Sequence, residues 1–129
     1  MTMVLDTCAL LWYTLSPKDL SPLASKYCAR IPKDGAMISS ISLWEIGIKV
    51  QKKKLEIGTS LEDYFARIKS YSPITVIPVD ADLWLRNIQL EWEHRDPADR
   101  TIVATSMASK CPLVTSDLTI ASYYKDCIW

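Results

Sequence analysis

Met3-Val4-Leu5-Asp6-Thr7-Cys8-Ala9-Leu10 is the stretch from which the fold can be read. A short apolar run ends at an acid, and Thr7 to Leu15 follows at once as a helical segment closed by Ser16-Pro17. A run so brief and so apolar suits a strand covered on both faces, as in a parallel sheet. The rhythm then repeats. Ala36 to Ile38, Ile74 to Val79, Leu113-Val114-Thr115 and Cys127-Ile128-Trp129 are the further strand candidates, and Pro78 marks the third as an edge strand. Helices fill the gaps. Ser21 caps one, with Pro22 at its first position, that ends near Ile31-Pro32, and Lys33-Asp34-Gly35 is a turn. Ser39 to about Lys52 is another, with Lys52-Lys53-Lys54 at the end where cations suit the helix dipole. Ser60 caps Leu61 to about Tyr71, Asp80 starts a helix carrying Leu83, Trp84 and Ile88, Asp96 caps one opening with Pro97, and Asp117 to Tyr124 is the last. The pattern predicts an α/β fold: a mostly parallel sheet of about five strands with helices on both faces.

Size and charge bound the function. The chain has 129 residues, 49% hydrophobic and 23% charged, which is enough for one well-cored domain spanning 1–129 and argues against disorder. Lysine plus arginine and aspartate plus glutamate number 15 each, so no strongly basic coat exists for sequence-blind nucleic-acid binding. A local site could still handle a nucleic acid. Cys8, Cys28, Cys111 and Cys127 form no C-x-x-C pair, and one histidine gives no zinc spacing. Each lies in an apolar or helical segment, so we expect buried free thiols in a reducing cytoplasm. Asp6 interrupts any signal peptide, and Glu45 and Lys49 break the best apolar run, so no membrane span is expected.

Acids recur where a parallel sheet binds its ligands, beyond the carboxyl ends of its strands. Asp6 follows the first strand and Asp117 the fourth; Glu45 and Asp99 lie on helices able to face the same crevice. One carboxylate pair about 4 Å apart repels by on the order of 4 kcal/mol at an effective dielectric of about 20. Such a cluster holds together around a divalent cation, and oxygen ligands suit Mg²⁺ or Mn²⁺. The chemistry it supports is phosphodiester hydrolysis. Each acid also has a local reading. Asp6 and Asp117 can cap the helices that follow them. Glu45 fits a capping box with Ser42, although the apolar run allows the helix to start at Ser39. Asp99 is an acid in a first turn, and Asp96, before Pro97, takes the cap and leaves Asp99 free.

Other constellations are weaker. His94 has no serine in a nucleophile-elbow sequence to partner it. Lys52 to Lys54 could meet phosphates or form a solvated helix end, while Arg95 and Arg100 flank the proposed cleft and are better phosphate candidates. Trp12, Trp44, Trp84, Trp92 and Trp129 could stack on bases, but most fall on apolar faces that suit a core or a subunit interface. A receiver-like Mg²⁺-binding signalling domain is an alternative in which Asp80 is the phosphoacceptor. It leaves Glu45 and Asp99 unexplained, and a lysine is missing after the last strand.

Leu5-Asp6-Thr7-Cys8, Ser42-Leu43-Trp44-Glu45-Ile46, His94-Arg95-Asp96-Pro97-Ala98-Asp99-Arg100, Leu113-Val114-Thr115-Ser116-Asp117 and the closing Ile128-Trp129 together resemble the PIN-domain family of metal-dependent ribonucleases. Within it they are similar to the VapC-type toxins of toxin–antitoxin pairs. The resemblance covers nearly the whole chain and implies a PIN-like three-layer sandwich. It implies an acidic quartet falling on Asp6, Glu45, Asp99 and Asp117, with Thr115 orienting water or metal and Mg²⁺ or Mn²⁺ as cofactor. Asp6 and Asp99 would be the principal ligands, Asp117 would bind a second metal or hold its water, and Glu45 would ligate through water or help deprotonate the nucleophile. It further implies an RNA substrate, a cognate antitoxin and a homodimer. Ala98 departs from the subfamily, which carries an aromatic residue there; the position looks like packing. A non-toxin PIN nuclease in RNA maturation is the alternative within the family.

Overall fold

The computed structural model describes residues 2–129. Five strands, β1 (Val4–Leu5), β2 (Ala36–Ser39), β3 (Ile74–Ile77), β4 (Leu113–Val114) and β5 (Cys127–Ile128), form one sheet in the order β3-β2-β1-β4-β5, and every neighbouring pair is parallel. Alternation along these strands divides the core in two. Met3, Leu5, Ala36, Ile38, Val114 and Ile128 point to one face, while Val4, Met37, Leu113 and Cys127 point to the other. Both sets are covered, which is why so few residues suffice for each strand.

The helices are distributed by the strand order. From β1 outward to β2 and β3, the connections are α1 (Thr7–Leu15), α2 (Pro22–Cys28), α3 (Ile31–Asp34), α4 (Ser40–Gln51) and α5 (Leu61–Ser70). They bury Ala9, Leu10, Ala24, Ile31, Leu43, Ile46, Tyr64 and Ile68 on the first face. The chain then crosses to the other side of β1 through α6 (Ala81–Gln89) and α7 (Pro97–Ser109), and α8 (Leu118–Tyr123) joins β4 to β5. Ile102, Val103 and Ile120 cover the second face. Crossovers of a single hand put helices on opposite faces when the strand order reverses, so the three layers follow from the topology. The reversal falls between β1 and β4. The Asp6 N–H donates to the Val114 carbonyl there at 3.1 Å.

Three expectations change. The second helix does not run to Ile31-Pro32: α2 stops at Cys28, and Pro32 sits in the first turn of the separate α3. Proline cannot continue a helix but fits its first turn. Gly35, at φ +78°, ends α3 in a conformation that glycine adopts without strain. The receiver alternative fails on strand order. A receiver-like sheet runs 2-1-3-4-5, with its third strand beside the first. Here β3 is at the edge, and Asp80 beyond it caps α6 by accepting from the Leu83 N–H at 2.9 Å. Finally, all four cysteines are free thiols, but only Cys28 and Cys111 are buried: Cys8 is exposed and Cys127 half-buried. No helix among the described residues is long and apolar enough to cross a membrane.

Candidate active site

The crevice at the reversal point is built by helix caps. Asp6 leaves β1 and caps α1, accepting from the Ala9 N–H at 2.8 Å through Oδ1. Asp117 caps α8, accepting from the Thr119 and Ile120 N–H groups at 2.8 and 3.3 Å. Thr115 ties the two together: its Oγ1 accepts from the Asp117 N–H at 3.0 Å, and its side chain also hydrogen-bonds Asp6. The capping reading and the site reading therefore coexist, because a cap uses one carboxylate oxygen.

Asp96 and Asp99 divide their work as the proline position requires. Asp96 Oδ1 accepts from the Ala98 and Asp99 N–H groups at 2.9 and 3.0 Å. The Asp99 carboxylate, in the same first turn, meets His94 Nε2 at 2.8 Å through Oδ2. Glu45 makes no capping box. Ser39 caps α4, accepting from the Ile41 N–H at 3.2 Å, so Ser42 lies inside the helix. Thr7 Oγ1 lies 2.9 Å from Ser42 Oγ and 2.5 Å from Glu45 Oε1. It has one proton, and the carboxylate, with none of its own, receives it.

The acids feel one another. Asp6 is 7% exposed, and burial pushes its carboxyl from the usual 3.8 up to about 6; Asp99 and Asp117 add to the rise, against the bonds from Thr115 and Ala9. Burial also raises Asp99, with Asp96 and Asp117 adding to the rise and His94 opposing it. Burial raises Glu45 as well, with Asp96 and Asp99 adding to it while Thr7 and Lys49 oppose it. Asp99 thus lies within electrostatic reach of the other three acids. Among the described residues, no three His, Cys, Asp or Glu side chains close on a single point as a ready-made cage. The donors are nonetheless carboxylate oxygens that repel across a shared crevice, and that set fits a hard divalent cation.

Residues 3–126 match the PIN domain family. The chain belongs to the PIN-domain family. No curated protein matches it in sequence. Solved structures share the PIN fold along almost the full length. A toxin–antitoxin complex from Klebsiella pneumoniae superposes at a TM-score of 0.67 and 17% identity, covering 98% of this chain and 96% of that one. VapBC2 from Rickettsia felis, bound to a DNA fragment from its promoter, gives 0.66 and 18%, covering 95% and 93%. VapC20 of Mycobacterium tuberculosis, a sarcin–ricin-loop-cleaving toxin, gives 0.63 and 16%, covering 95% and 97%.

Within this PIN domain the predicted arginines part company. Arg95 is exposed and free to meet a ligand. Arg100 is not. Its guanidinium donates to the carbonyls of Asn87, Leu90, Trp92 and His94 and to Asn87 Oδ1, which engages all five of its N–H groups. It is a clamp for the α6–α7 connection, which corrects its expected role as a phosphate contact. Three features escaped the sequence reading: the His94 contact with Asp99, the Thr7 bond to Glu45, and Lys49, one turn past Glu45, whose charge acts on both Glu45 and Cys8. Helix spacing would have revealed Lys49. The other two depend on how separate elements pack.

Proposed function

We propose that this protein is a single-domain, metal-dependent endoribonuclease, the toxin of a toxin–antitoxin pair, acting in the cytoplasm. One observation carries the reading: at the strand-order reversal of a PIN domain, where parallel sheets bind ligands, burial raises the Asp6 and Asp99 carboxyls and the charge of Asp117 adds to both. Asp6 and Asp99 would hold Mg²⁺ or Mn²⁺, with Asp117 and Glu45 completing the set directly or through water. Such an ion supplies Lewis acidity, making water more acidic and offsetting charge on phosphate oxygens. The side chains do the rest. Glu45, tied to Thr7 through Oε1, keeps its other oxygen for the proton of the attacking water. Thr115 holds Asp6 and Asp117 in register. Arg95 attracts the RNA phosphate.

The partners follow from surfaces and neighbours. Two of the structural neighbours are toxin–antitoxin assemblies, which supports an antitoxin here, contributing an apolar helix and a basic segment complementary to the acids. A homodimer is supported by a different face. Trp44 and Trp84 line an uncharged groove of about 350 Å³ with Ile41, Val79 and Pro97, and Ile88, one turn beyond Trp84, is 74% exposed. Contiguous apolar surface of this kind marks an interaction site.

The experiment is cleavage mapping on total cellular RNA with Mg²⁺ or Mn²⁺. Defined cuts are expected, lost in EDTA and in Asp6→Asn and Asp99→Asn; cuts that survive both variants would contradict the reading. Induced expression tests the toxin role. Growth arrest relieved by a small neighbouring gene supports it, and undisturbed growth with active soluble enzyme favours a maturation nuclease.

A further inference from the structure

The connection between α6 and α7 is wound around one cation. Four main-chain carbonyls, those of Asn87, Leu90, Trp92 and His94, converge on the Arg100 guanidinium at 2.5 to 3.1 Å. Asn87 locks the winding to α7, donating to the Pro97 carbonyl at 3.2 Å and to Thr101 Oγ1 at 2.8 Å. Arg100 is the residue after Asp99, so a single helical turn carries both the acid and the group that shapes the loop over it. The Trp92 ring stacks on Tyr123 at 4.7 Å and 6°, and its other neighbour is the His94 ring at 4.8 Å.

The Arg100 clamp itself has no need of an imidazole. Arg100 binds the backbone of residue 94, which any side chain would offer. Among the described residues, the one polar contact of the His94 ring is Asp99 Oδ2, at 2.8 Å. Asp99 has no proton to give when ionised, so Nε2–H is the donor. That bond fixes Oδ2 and with it the carboxylate plane, and leaves Oδ1 out of the pairing. We infer that His94 is a positioning residue for Asp99, holding its carboxylate in the orientation that receives the divalent cation. The inference rests on the nuclease reading above. Carboxylates that bind metals are themselves held by hydrogen bonds, and losing such a partner typically costs roughly 10–100-fold in metal affinity.

The test is Mn²⁺ titration by calorimetry of the wild-type chain, His94→Ala and His94→Gln, each with a melting curve and with RNA cleavage measured against Mn²⁺ concentration. His94→Ala should weaken Mn²⁺ binding roughly 10–100-fold and raise the Mn²⁺ needed for half-maximal cleavage by the same factor, while still melting cooperatively as a folded protein. His94→Gln, whose amide nitrogen stands near the place of Nε2, should recover most of the affinity. Equal affinity in His94→Ala and wild type overturns the inference, and so does a His94→Gln as weak as His94→Ala. A wild-type chain that binds no Mn²⁺ overturns the metal-site reading and this inference together. Wild-type binding without RNA cleavage defeats only the nuclease reading, while a weaker His94→Ala still supports the positioning role.

Discussion

Asp6 faces two ways at once, with one oxygen on the backbone of α1 and the charges of Asp99 and Asp117 acting on its carboxyl. Burial makes its charged form costly, which has a measurable sign. A carboxyl raised from 3.8 to about 6 is held neutral by the fold, so its contribution to stability is complete below about 3.8 and is lost as pH rises through about 6. The same direction applies to Glu45 and Asp99. The metal-free protein should therefore melt at lower temperature at pH 7.5 than at pH 5. Asp6→Asn, which keeps the cap and cannot ionise, should flatten that slope and stabilise the protein at pH 7.5 by on the order of 2 kcal/mol. Thermal melts of both chains across pH check this; a wild-type melt rising over that range contradicts it. Asp6, Asp99 and Asp117 were visible in the sequence because each sits at a strand end or a helix start, where side-chain direction is predictable, whereas Glu45 lies in the second turn of α4 and stood out only through the motif around it. Arg100 was misjudged because sequence shows a cation near a cleft but not the carbonyls that occupy it.

At the scale of elements, the strand–helix rhythm was legible because each boundary has a local cause: Asp6, Ser21, Ser39, Ser60, Asp80, Asp96 and Asp117 all accept from backbone N–H groups at helix starts. The extent of α2 and the position of Ser42 were less legible, since apolar periodicity continues past both. The connection 90–96 was the least legible element. It has no periodicity, and its shape comes from a single α7 side chain up to ten residues away and from Asn87 across the α6–α7 contact. Arg100→Lys tests that view. An ammonium offers three donors without the planar fork, leaving carbonyls unmatched, so the variant should lose about 2 kcal/mol or more in urea unfolding. A loss within about 0.5 kcal/mol, the range of ordinary surface changes, would mean the loop stands without its clamp.

Over the whole molecule, the neutral total hides a separation. Asp99 lies within electrostatic reach of Asp6, Glu45 and Asp117, Lys49 opposes the rise of Glu45, and the Trp44–Trp84 groove carries no charge. The strand order itself could not be read from sequence: the pattern gave strands and helices, and only the pairing put β3 at the edge and set aside the receiver-like arrangement. The groove gives a separate prediction. Ile88→Lys puts a charge on its exposed continuation and should shift a dimer to monomer in sedimentation, leaving the melt of the subunit intact; an unchanged dimer places the interface elsewhere. Catalysis is tested most directly by incubating RNA with wild-type protein and Asp99→Asn, each with Mn²⁺ and with EDTA. The acidic site predicts cleavage by the wild type with Mn²⁺ alone, and a fall of roughly 10²–10³-fold in Asp99→Asn, the scale of losing one preorganised charged group. Equal cleavage by the two proteins, or cleavage that persists in EDTA, would contradict it.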